Sequence, residues 1–433
     1  MGFILFGAIA ALEMILMVLG IRAKSGLTKA RSITHIVLAA VFALLLLTSV
    51  IVWSFRYYAL AALLSLQALA GAVQLIRKKE KRKTFSVLRA IGKAAGKIAL
   101  LLLVALPAVI FPEYSIIPPT GKYQVATSVY TYTDAGRGEA YANPGQSRRL
   151  NVEFWHPRSQ DETFPLIVFS HGGMSARTSN ESLYHELASN GYVVCAIDHT
   201  YLCLYTTFDD GHTAYINGEY MRQLQAEDAR ADRQQSYEYY RQWMKIQTGD
   251  INFVTDHILA NSRSEKAEGV YKLIDGTRIG VMGHSLGGSA ALGIGRTRKD
   301  IGAVIALESP FLCDITGVQD GEFVFTGEPY PAPVLNVYSD SAWDHLAQWP
   351  QYAQNSRLLS QAFASAPFVH IRGTGHFSLT DLALTSPMLT RLFNGFPSTA
   401  DTGYCLKTIN QVCLQFFDCH LKETGSFTLG GTH

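Results

Sequence analysis

The chain begins with long hydrophobic runs and later changes to short segments that alternate between hydrophobic and polar positions. The runs occupy the first quarter of the 433 residues, and basic connectors separate them. Core helices of a soluble domain are not grouped at one end of the chain. Each run is also close to the roughly 20 apolar residues that a membrane-spanning helix needs. The pattern predicts an all-α transmembrane region of about four helices over residues 1–112, near 3–20, 34–53, 57–76 and 98–111. Glu13 interrupts the first run.

Positive charge on the connectors predicts how these helices cross the membrane. Four basic residues follow the first run, and nine basic residues against one acidic residue lie between positions 77 and 97. Short loops rich in lysine and arginine stay in the cytoplasm. Both connectors are therefore predicted to lie inside. The segment after the fourth helix would then lie outside, as in an integral protein of the cell membrane.

A different pattern begins after the fourth run. Residues 113–123 are rich in proline and are predicted to be a linker. Residues 124–433 then alternate between short β-rich runs and segments of helical period, which predicts an α/β domain with a mostly parallel central sheet. Its first strands are expected to be antiparallel. The predicted strands lie near 124–132, 149–155, 165–170, 192–197, 278–283, 302–307, 333–338 and 367–372.

One polar stretch, residues 205–248, fits this alternation less well. Its composition favours an ordinary surface loop followed by a solvated helix. A lid over a functional site is the alternative.

Composition and charge add few constraints. The net charge of +2 comes from the basic connectors, so anionic membrane lipids are expected partners and nucleic acid is not. All six cysteines fall in the part predicted to lie outside, where disulfides can form. Their pairing cannot be assigned, and free buried thiols are equally compatible. No metal-ligand spacing is present, so neither a metal nor an organic cofactor is expected.

The stretch "VMGHSLGGSAALG" places Ser285 in a G-x-S-x-G pattern with Gly283 and Gly287. The residues before Ser285 predict a strand and those after it a small-residue helix. A serine on such a strand-to-helix turn has an exposed hydroxyl and lies at a helix N-terminus that favours developing negative charge. This context indicates a nucleophile for acyl transfer.

An oxyanion cradle, a base and an acid are then required. In "PLIVFSHGGMS", a strand runs into a Gly-Gly turn, where the backbone amide of Gly173 is the expected partner of the Leu286 amide. His376, in a loop after a late strand, is the expected base. Two carboxylates end successive strands, Glu308 and Asp340, and spacing alone does not choose between them.

These motifs together resemble the α/β-hydrolase family of the plasma-type platelet-activating factor acetylhydrolases, isoform II-like, and their bacterial relatives. The resemblance covers about residues 118–422. It rests on "LNVEFWHP", "VFSHGG", "LASNGYVVCAIDHT", "GHSLGG", "IALE", "NVYSD" and "IRGTGHFSLTD" in this order. It implies an α/β-hydrolase fold, here preceded by the transmembrane region that the soluble members of the family lack.

The resemblance also implies a role for individual residues. The nucleophile falls on Ser285, the histidine on His376, and the oxyanion donors on Gly173 and Leu286. The acid falls on Glu308, where relatives usually carry Asp in an "ALD" context and this chain has "ALE". The longer Glu keeps Asp340 open as the alternative.

The function implied is a membrane-anchored serine ester hydrolase that cleaves short-acyl esters, including sn-2 acyl groups of phospholipids. Two other hypotheses are kept beside it. The same three side chains could transfer the acyl group to an alcohol, or the fold could serve as a non-catalytic membrane sensor or scaffold.

Overall fold

The chain divides into two units in the computed structural model, which describes residues 2–77, 85–141, 145–160, 162–362 and 367–433. The first unit comprises Met1–Tyr114 and Thr385–Met388. The second comprises Ser115–Leu384 and Leu389–His433.

Four long helices form most of the first unit, and all four are long and apolar enough to cross a membrane. The predicted apolar helices are therefore confirmed, although their ends differ from the prediction. They are α1 (Gly2–Arg22), α2 (Thr28–Leu47), α3 (Phe55–Arg77) and α4 (Val87–Ile110).

The fourth helix shows the largest difference, since α4 begins at Val87 rather than near residue 98. The Ser86 hydroxyl accepts a hydrogen bond from the Arg89 amide and caps the helix there. Basic residues near its start shorten the apolar run, but they do not prevent a helix from forming. Residues 78–84, which belong to the basic connector, lie outside the described residues.

Glu13 is buried within the first unit and binds three basic side chains. Its carboxylate oxygens lie 3.0 Å from an Arg31 guanidinium nitrogen, 3.1 Å from His35 Nε2 and 2.6 Å from Lys97 Nζ. A carboxylate buried among apolar helices needs such partners, because its apolar surroundings offer none. Glu13 therefore joins α1 to α2 and α4.

Among its described residues, the second unit has a sheet of nine strands and two separate two-stranded ribbons. Its strands in chain order are β1 (Val125–Gly138), β2 (Ser147–Pro157), β3 (Phe164–Ser170), β4 (Val193–Asp198), β5 (Tyr205–Thr207), β6 (Thr213–Tyr215), β7 (Ile274–His284), β8 (Ile301–Leu307), β9 (Ile315–Gln319), β10 (Glu322–Phe325), β11 (Val334–Ser339), β12 (Phe368–Ile371) and β13 (Gly431–Thr432).

The strand order in the large sheet is β1-β2-β4-β3-β7-β8-β11-β12-β13. β1 pairs with β2 and β2 with β4 in antiparallel fashion, and every later pair in the order is parallel. The prediction of a mostly parallel sheet that starts with antiparallel strands is confirmed. The β5–β6 ribbon, the β9–β10 ribbon and β13 were not predicted.

Helices cover both faces of this sheet. Successive residues of a strand point to opposite faces, and Leu166 and Ile167 of β3 accordingly belong to two different hydrophobic cores. The first core includes residues of α7 and α8, and the second includes residues of α5 and α13. The helices of this part are α5 (Glu181–Ser189), α6 (Gly218–Ala226), α7 (Arg233–Ser262), α8 (Leu286–Thr297), α9 (Asp340–Trp343), α10 (Ala353–Ala362), α11 (Leu382–Thr385), α12 (Pro387–Asn394) and α13 (Thr402–Leu421).

The stretch 205–248 is not an ordinary solvated surface. It contains the β5–β6 ribbon, α6 and the first half of α7. Tyr220, Tyr240 and Trp243 are buried in the core of the second unit. The preference for a solvated helix was wrong, because widely spaced aromatic side chains supply the buried face despite the polar composition.

All six cysteines are free thiols, and four of them are buried. Burial raises the pKa of the thiols of Cys195 and Cys203 well above the usual range. These side chains therefore act as small apolar residues of the core.

Candidate active site

Ser285 lies on a sharp turn in a backbone conformation that few residues adopt. β7 ends at His284, α8 begins at Leu286, and Ser285 between them has φ 55° and ψ −125°. Its amide donates a 2.9 Å hydrogen bond to the carbonyl oxygen of Leu307 at the end of β8. A positive φ outside glycine persists only where the surrounding structure holds it, which is common at functional sites. The side chain is partly exposed.

Close backbone packing explains the glycines around Ser285. A Cβ on Gly283 would lie 2.5 Å from the backbone of Gly287. A Cβ on Gly287 would collide with the carbonyl oxygen of Ser170 at the end of β3. Only glycine therefore lets the start of α8 approach β3 and β7 this closely, as the strand-to-helix turn requires.

His376 lies beside Glu308. The histidine begins a 3₁₀ turn after β12, and Glu308 directly follows β8. His376 Nδ1 lies 3.0 Å from Glu308 Oε1. The Glu308 side chain is only 1% exposed, whereas that of His376 is 27% exposed. The buried carboxylate thus holds one nitrogen of a ring that solvent can still reach.

The backbone around Glu308 fixes its carboxylate in place. Glu308 has a positive φ of 49°, and its amide donates a 2.7 Å hydrogen bond to the carbonyl oxygen of Val337 in β11. Its second carboxylate oxygen, Oε2, accepts a 2.6 Å hydrogen bond from the Ser339 amide. One oxygen therefore binds the protein backbone, and the other faces His376.

Asp340 has different partners. Its Oδ1 lies 2.8 Å from His370 Nε2, and its Oδ2 accepts a 2.8 Å hydrogen bond from the Gly373 amide. Its own amide donates to the carbonyl oxygen of Thr374 at 3.1 Å. These contacts tie Asp340 to the loop that leads to His376, while the His376 ring contacts Glu308.

The Gly-Gly turn after β3 lies against Ser285. A Cβ on Gly172 would be 3.1 Å from Ser285 Cβ, and one on Gly173 would be 3.2 Å from Leu286 Cδ1. The absence of side chains at both positions leaves room beside the Ser285 side chain. The predicted oxyanion residues, Gly173 and Leu286, are therefore neighbours.

His284 connects the turn of Ser285 to the loop of His376. Its Nε2 lies 3.1 Å from the carbonyl oxygen of His376, and the two rings are 4.5 Å apart between centroids. Burial lowers the pKa of His284 well below the usual range, and the nearby His376 lowers it further. His284 is therefore a neutral ring that supports the loop.

Behind the Gly-Gly turn lies a buried polar network that the sequence did not reveal. His171 Nδ1 lies 2.7 Å from the Gly172 carbonyl oxygen, and the His199 amide donates to His171 Nε2 at 3.2 Å. His199 Nδ1 in turn lies 2.9 Å from Asp250 Oδ2, which also binds Arg148 at 2.6 Å. These partners are far apart in sequence, so no local motif marks them.

The charges in this network compensate one another. Burial alone would raise the pKa of Asp250, but the Arg148 guanidinium lowers it below the usual range of a carboxyl group. Burial lowers the pKa of His171 to about 4, with a further contribution from His199. A neutral His171 thus holds the Gly-Gly turn, and an ion pair lies behind it.

Among the described residues, His171, Asp198 and Cys203 place possible metal-ligand atoms within 4.8 Å of one another. Both ring nitrogens of His171 are already engaged in the hydrogen bonds above, and Asp198 binds Arg177 and accepts from the Thr206 hydroxyl at 2.8 Å. Burial and the charge of Asp198 raise the pKa of Cys203, which disfavours the thiolate that binds metals. The group fits a hydrogen-bonded core better than a metal site.

Comparison with known proteins assigns the chain to a family. The family model described as platelet-activating factor acetylhydrolase, isoform II, matches residues 146–430, which is more than half of the sequence. The chain belongs to this family. Residue 146 lies just before β2 and residue 430 just before β13, so the family match covers most of the sheet.

Two family members show how distant the relationship is. The chain is 24% identical to platelet-activating factor acetylhydrolase of Gallus gallus over 289 residues, covering 61% of this chain and 64% of that protein. It is also 24% identical to the Canis lupus familiaris protein of the same name over 278 residues, covering 61% and 59%. The match therefore spans less than two thirds of these relatives.

A solved structure supports the fold alone. A ferulic acid esterase from Streptomyces cinnamoneus superimposes with a TM-score of 0.55 and 21% identity, covering 72% of this chain and 94% of the esterase. The α/β-hydrolase fold expected for the second unit is confirmed, and so is the family resemblance seen in the sequence.

Proposed function

We propose that this member of the platelet-activating factor acetylhydrolase family is a membrane-anchored serine ester hydrolase. Ser285 would be its nucleophile, His376 its base and Glu308 its acid. The observation that supports this best is the 3.0 Å contact between His376 Nδ1 and Glu308 Oε1 at the strand ends where Ser285 occupies its strained turn.

The proposed reaction gives each of these residues a step. Ser285 Oγ attacks the ester carbonyl carbon while His376 Nε2 takes the hydroxyl proton. Glu308 accepts the hydrogen bond from Nδ1–H, which fixes the tautomer and stabilises the imidazolium. His376 then returns the proton to the leaving alcohol, and an acyl-enzyme remains. Water attacks the acyl-enzyme with His376 again as base, which releases the carboxylic acid and restores Ser285.

The carbonyl oxygen gains negative charge during both attacks. The Leu286 amide lies at the N-terminus of α8, where amides are free and the helix dipole is favourable. We assign this amide and that of Gly173 as the oxyanion donors. Such preorganised donors usually supply the largest single contribution to acyl-transfer catalysis.

Glu308 is proposed as the acid in preference to Asp340 because of their different contacts. Glu308 reaches the His376 ring and is almost fully buried, which strengthens its electrostatic interaction with an imidazolium. Asp340 is bound to His370 and the Gly373 amide. Its proposed role is to shape the loop that carries His376.

Short-acyl esters are the proposed substrates, including sn-2 acyl groups of phospholipids. The relatives' name, acetylhydrolase, describes a short acyl group. The proposed membrane anchor is supported by the apolar surface of the first unit, where Leu47, Ile76 and Leu88 are 84%, 79% and 81% exposed. An apolar surface of this kind needs lipid around it.

The test is hydrolysis of p-nitrophenyl esters of increasing acyl length by the full chain in detergent. We expect Ser285→Ala to reduce kcat to background and Glu308→Ala to reduce it by roughly 10³- to 10⁴-fold. Asp340→Ala serves as the matched carboxylate control, with a smaller loss. Full activity of Ser285→Ala would refute the proposal, and a larger loss in Asp340→Ala than in Glu308→Ala would transfer the role of acid.

A further inference from the structure

Tyr220 on α6 carries a buried hydroxyl that lacks a hydrogen-bond partner among the residues that the structure describes. The side chain has no exposed surface. An unpaired buried polar group destabilises the fold, because it loses its hydrogen bonds to water and gains none in the protein. Such a group is therefore uncommon unless something other than folding requires it.

Two aromatic side chains that pack against Tyr220 have paired polar atoms. The Tyr141 hydroxyl and Trp243 Nε1 each donate to Gln223 Oε1 at 2.9 Å. The Tyr220 ring packs against both, with centroids 6.0 Å from Tyr141 and 5.8 Å from Trp243. Packing thus fixes the Tyr220 ring, while its hydroxyl is left out of the network around it.

The position of this hydroxyl indicates what it could bind. It lies 3.2 Å from the point that a Cβ on Gly173 would occupy, and Leu286 Cδ1 lies equally close to that point. Gly173 and Leu286 are the two residues whose amides we assign to the ester carbonyl oxygen. The unpaired O–H therefore lies beside the proposed oxyanion site.

We propose that Tyr220 is a further catalytic residue. Its hydroxyl would donate a hydrogen bond to the ester carbonyl oxygen as that oxygen becomes negative. This inference rests on the proposed function. The hydrogen bond would be the third to the same oxygen, and it would give the buried hydroxyl the partner that folding does not supply. The nearby Leu286 and Leu224 side chains are partly exposed, and the proposed contact requires them to move aside for an ester.

The protonation state of Tyr220 suits this role. Burial raises the pKa of its hydroxyl far above the usual value, and the neighbouring Tyr141 and Cys203 raise it further. The phenol therefore keeps its proton at all working pH values, so it can donate to an oxyanion.

The decisive variant is Tyr220→Phe in the full chain, which keeps the ring and removes the hydroxyl. With p-nitrophenyl acetate, we expect kcat to fall by roughly 10- to 100-fold, somewhat less than for removal of a principal oxyanion donor. KM should change little, because the hydrogen bond strengthens only as charge develops. The melting temperature should stay the same or rise, since an unpaired buried hydroxyl is lost.

Tyr240→Phe is the matched control. Its hydroxyl donates to Glu227 Oε1 at 2.5 Å. Removal of this paired hydroxyl should lower the melting temperature and leave kcat unchanged.

Three outcomes would overturn the inference, and each can be told apart from failure of the proposed function. Wild-type kcat in Tyr220→Phe, while Ser285→Ala is inactive, would refute the role of Tyr220 alone. A melting temperature lowered as in Tyr240→Phe would assign the hydroxyl a structural role. Activity in Ser285→Ala would refute the proposed function and the inference with it.

Discussion

Two buried histidines, His171 and His284, support the proposed site without contacting a substrate. His171 lies 2.7 Å from the carbonyl oxygen of Gly172, and His284 lies 3.1 Å from that of His376. Both bind the backbone of a loop that carries a proposed catalytic group. Burial lowers the pKa of both rings, so each is neutral near pH 7.

This neutrality makes stability dependent on pH. The unfolded chain binds a proton at His171 with a pKa near 6.5, whereas in the folded protein its pKa is about 4. The stability that the neutral ring contributes is complete above about pH 6.5 and is lost as the pH falls through 4. We therefore expect the free energy of unfolding to fall by about 3 kcal/mol over this range from His171 alone.

Urea unfolding of the full chain in detergent, followed by tryptophan fluorescence from pH 4 to 8, measures this effect. The free energy of unfolding of His171→Asn should depend less steeply on pH than that of the wild type. Part of the dependence should remain, because His284 is still present. Identical slopes in the two proteins would contradict the pKa that we assign to His171.

At the residue level, the proposed site residues that could be predicted from the sequence are those that local motifs mark. Ser285 lies in G-x-S-x-G, Gly173 in a Gly-Gly turn, and His376 in a loop after a late strand. The choice between Glu308 and Asp340 depends on which carboxylate reaches the ring, and this is a property of the folded chain. The proposed role of Tyr220 could not be predicted from the sequence, because it depends on a hydroxyl that the fold buries without a described partner.

At the element level, three helices of the first unit share one polar cluster around the buried Glu13. Glu13 of α1 contacts Arg31 and His35 of α2 and Lys97 of α4. Breaking a buried ion pair by removing one partner is costly, since the other charge stays buried. The cluster should therefore fix how these helices pack.

A double-mutant cycle tests this role. Glu13→Gln and Lys97→Met should each lower the thermal stability of the detergent-solubilised chain. The double variant should lose less than the sum of the two, with a coupling energy of about 0.5–3 kcal/mol. Strict additivity would show that the 2.6 Å contact between Glu13 and Lys97 contributes nothing.

The elements differ in how well the sequence predicted them. All strands of the large sheet except β13 were predicted, because buried parallel strands are nearly continuous hydrophobic runs, and all seven residues of β3 are buried. The helix ends were predicted less well, since hydrophobic runs stop at charged residues and helices do not. β13 has only two residues, too few to show a pattern.

At the level of the whole molecule, the two units have different surfaces. Long apolar side chains are exposed along the helices of the first unit, whereas the sheet of the second unit is enclosed by two cores. A chain with both features is expected to place the first unit in a bilayer and the second in water. The side of the membrane on which the second unit lies then determines which esters can reach the proposed site.

Topology is the final prediction, and it follows from the positive charge of the connectors. Four basic residues between positions 22 and 31, and nine between positions 77 and 97, should hold both connectors in the cytoplasm. Four crossings from an external N-terminus then leave the second unit outside. A phosphatase that is active only outside the cytoplasm should be active when fused after His433 and inactive when fused after Gly26. The reverse result would place the proposed hydrolase in the cytoplasm. Equal activity at both sites would show that α2, α3 and α4 do not all cross the membrane, because three crossings put the two sites on opposite sides.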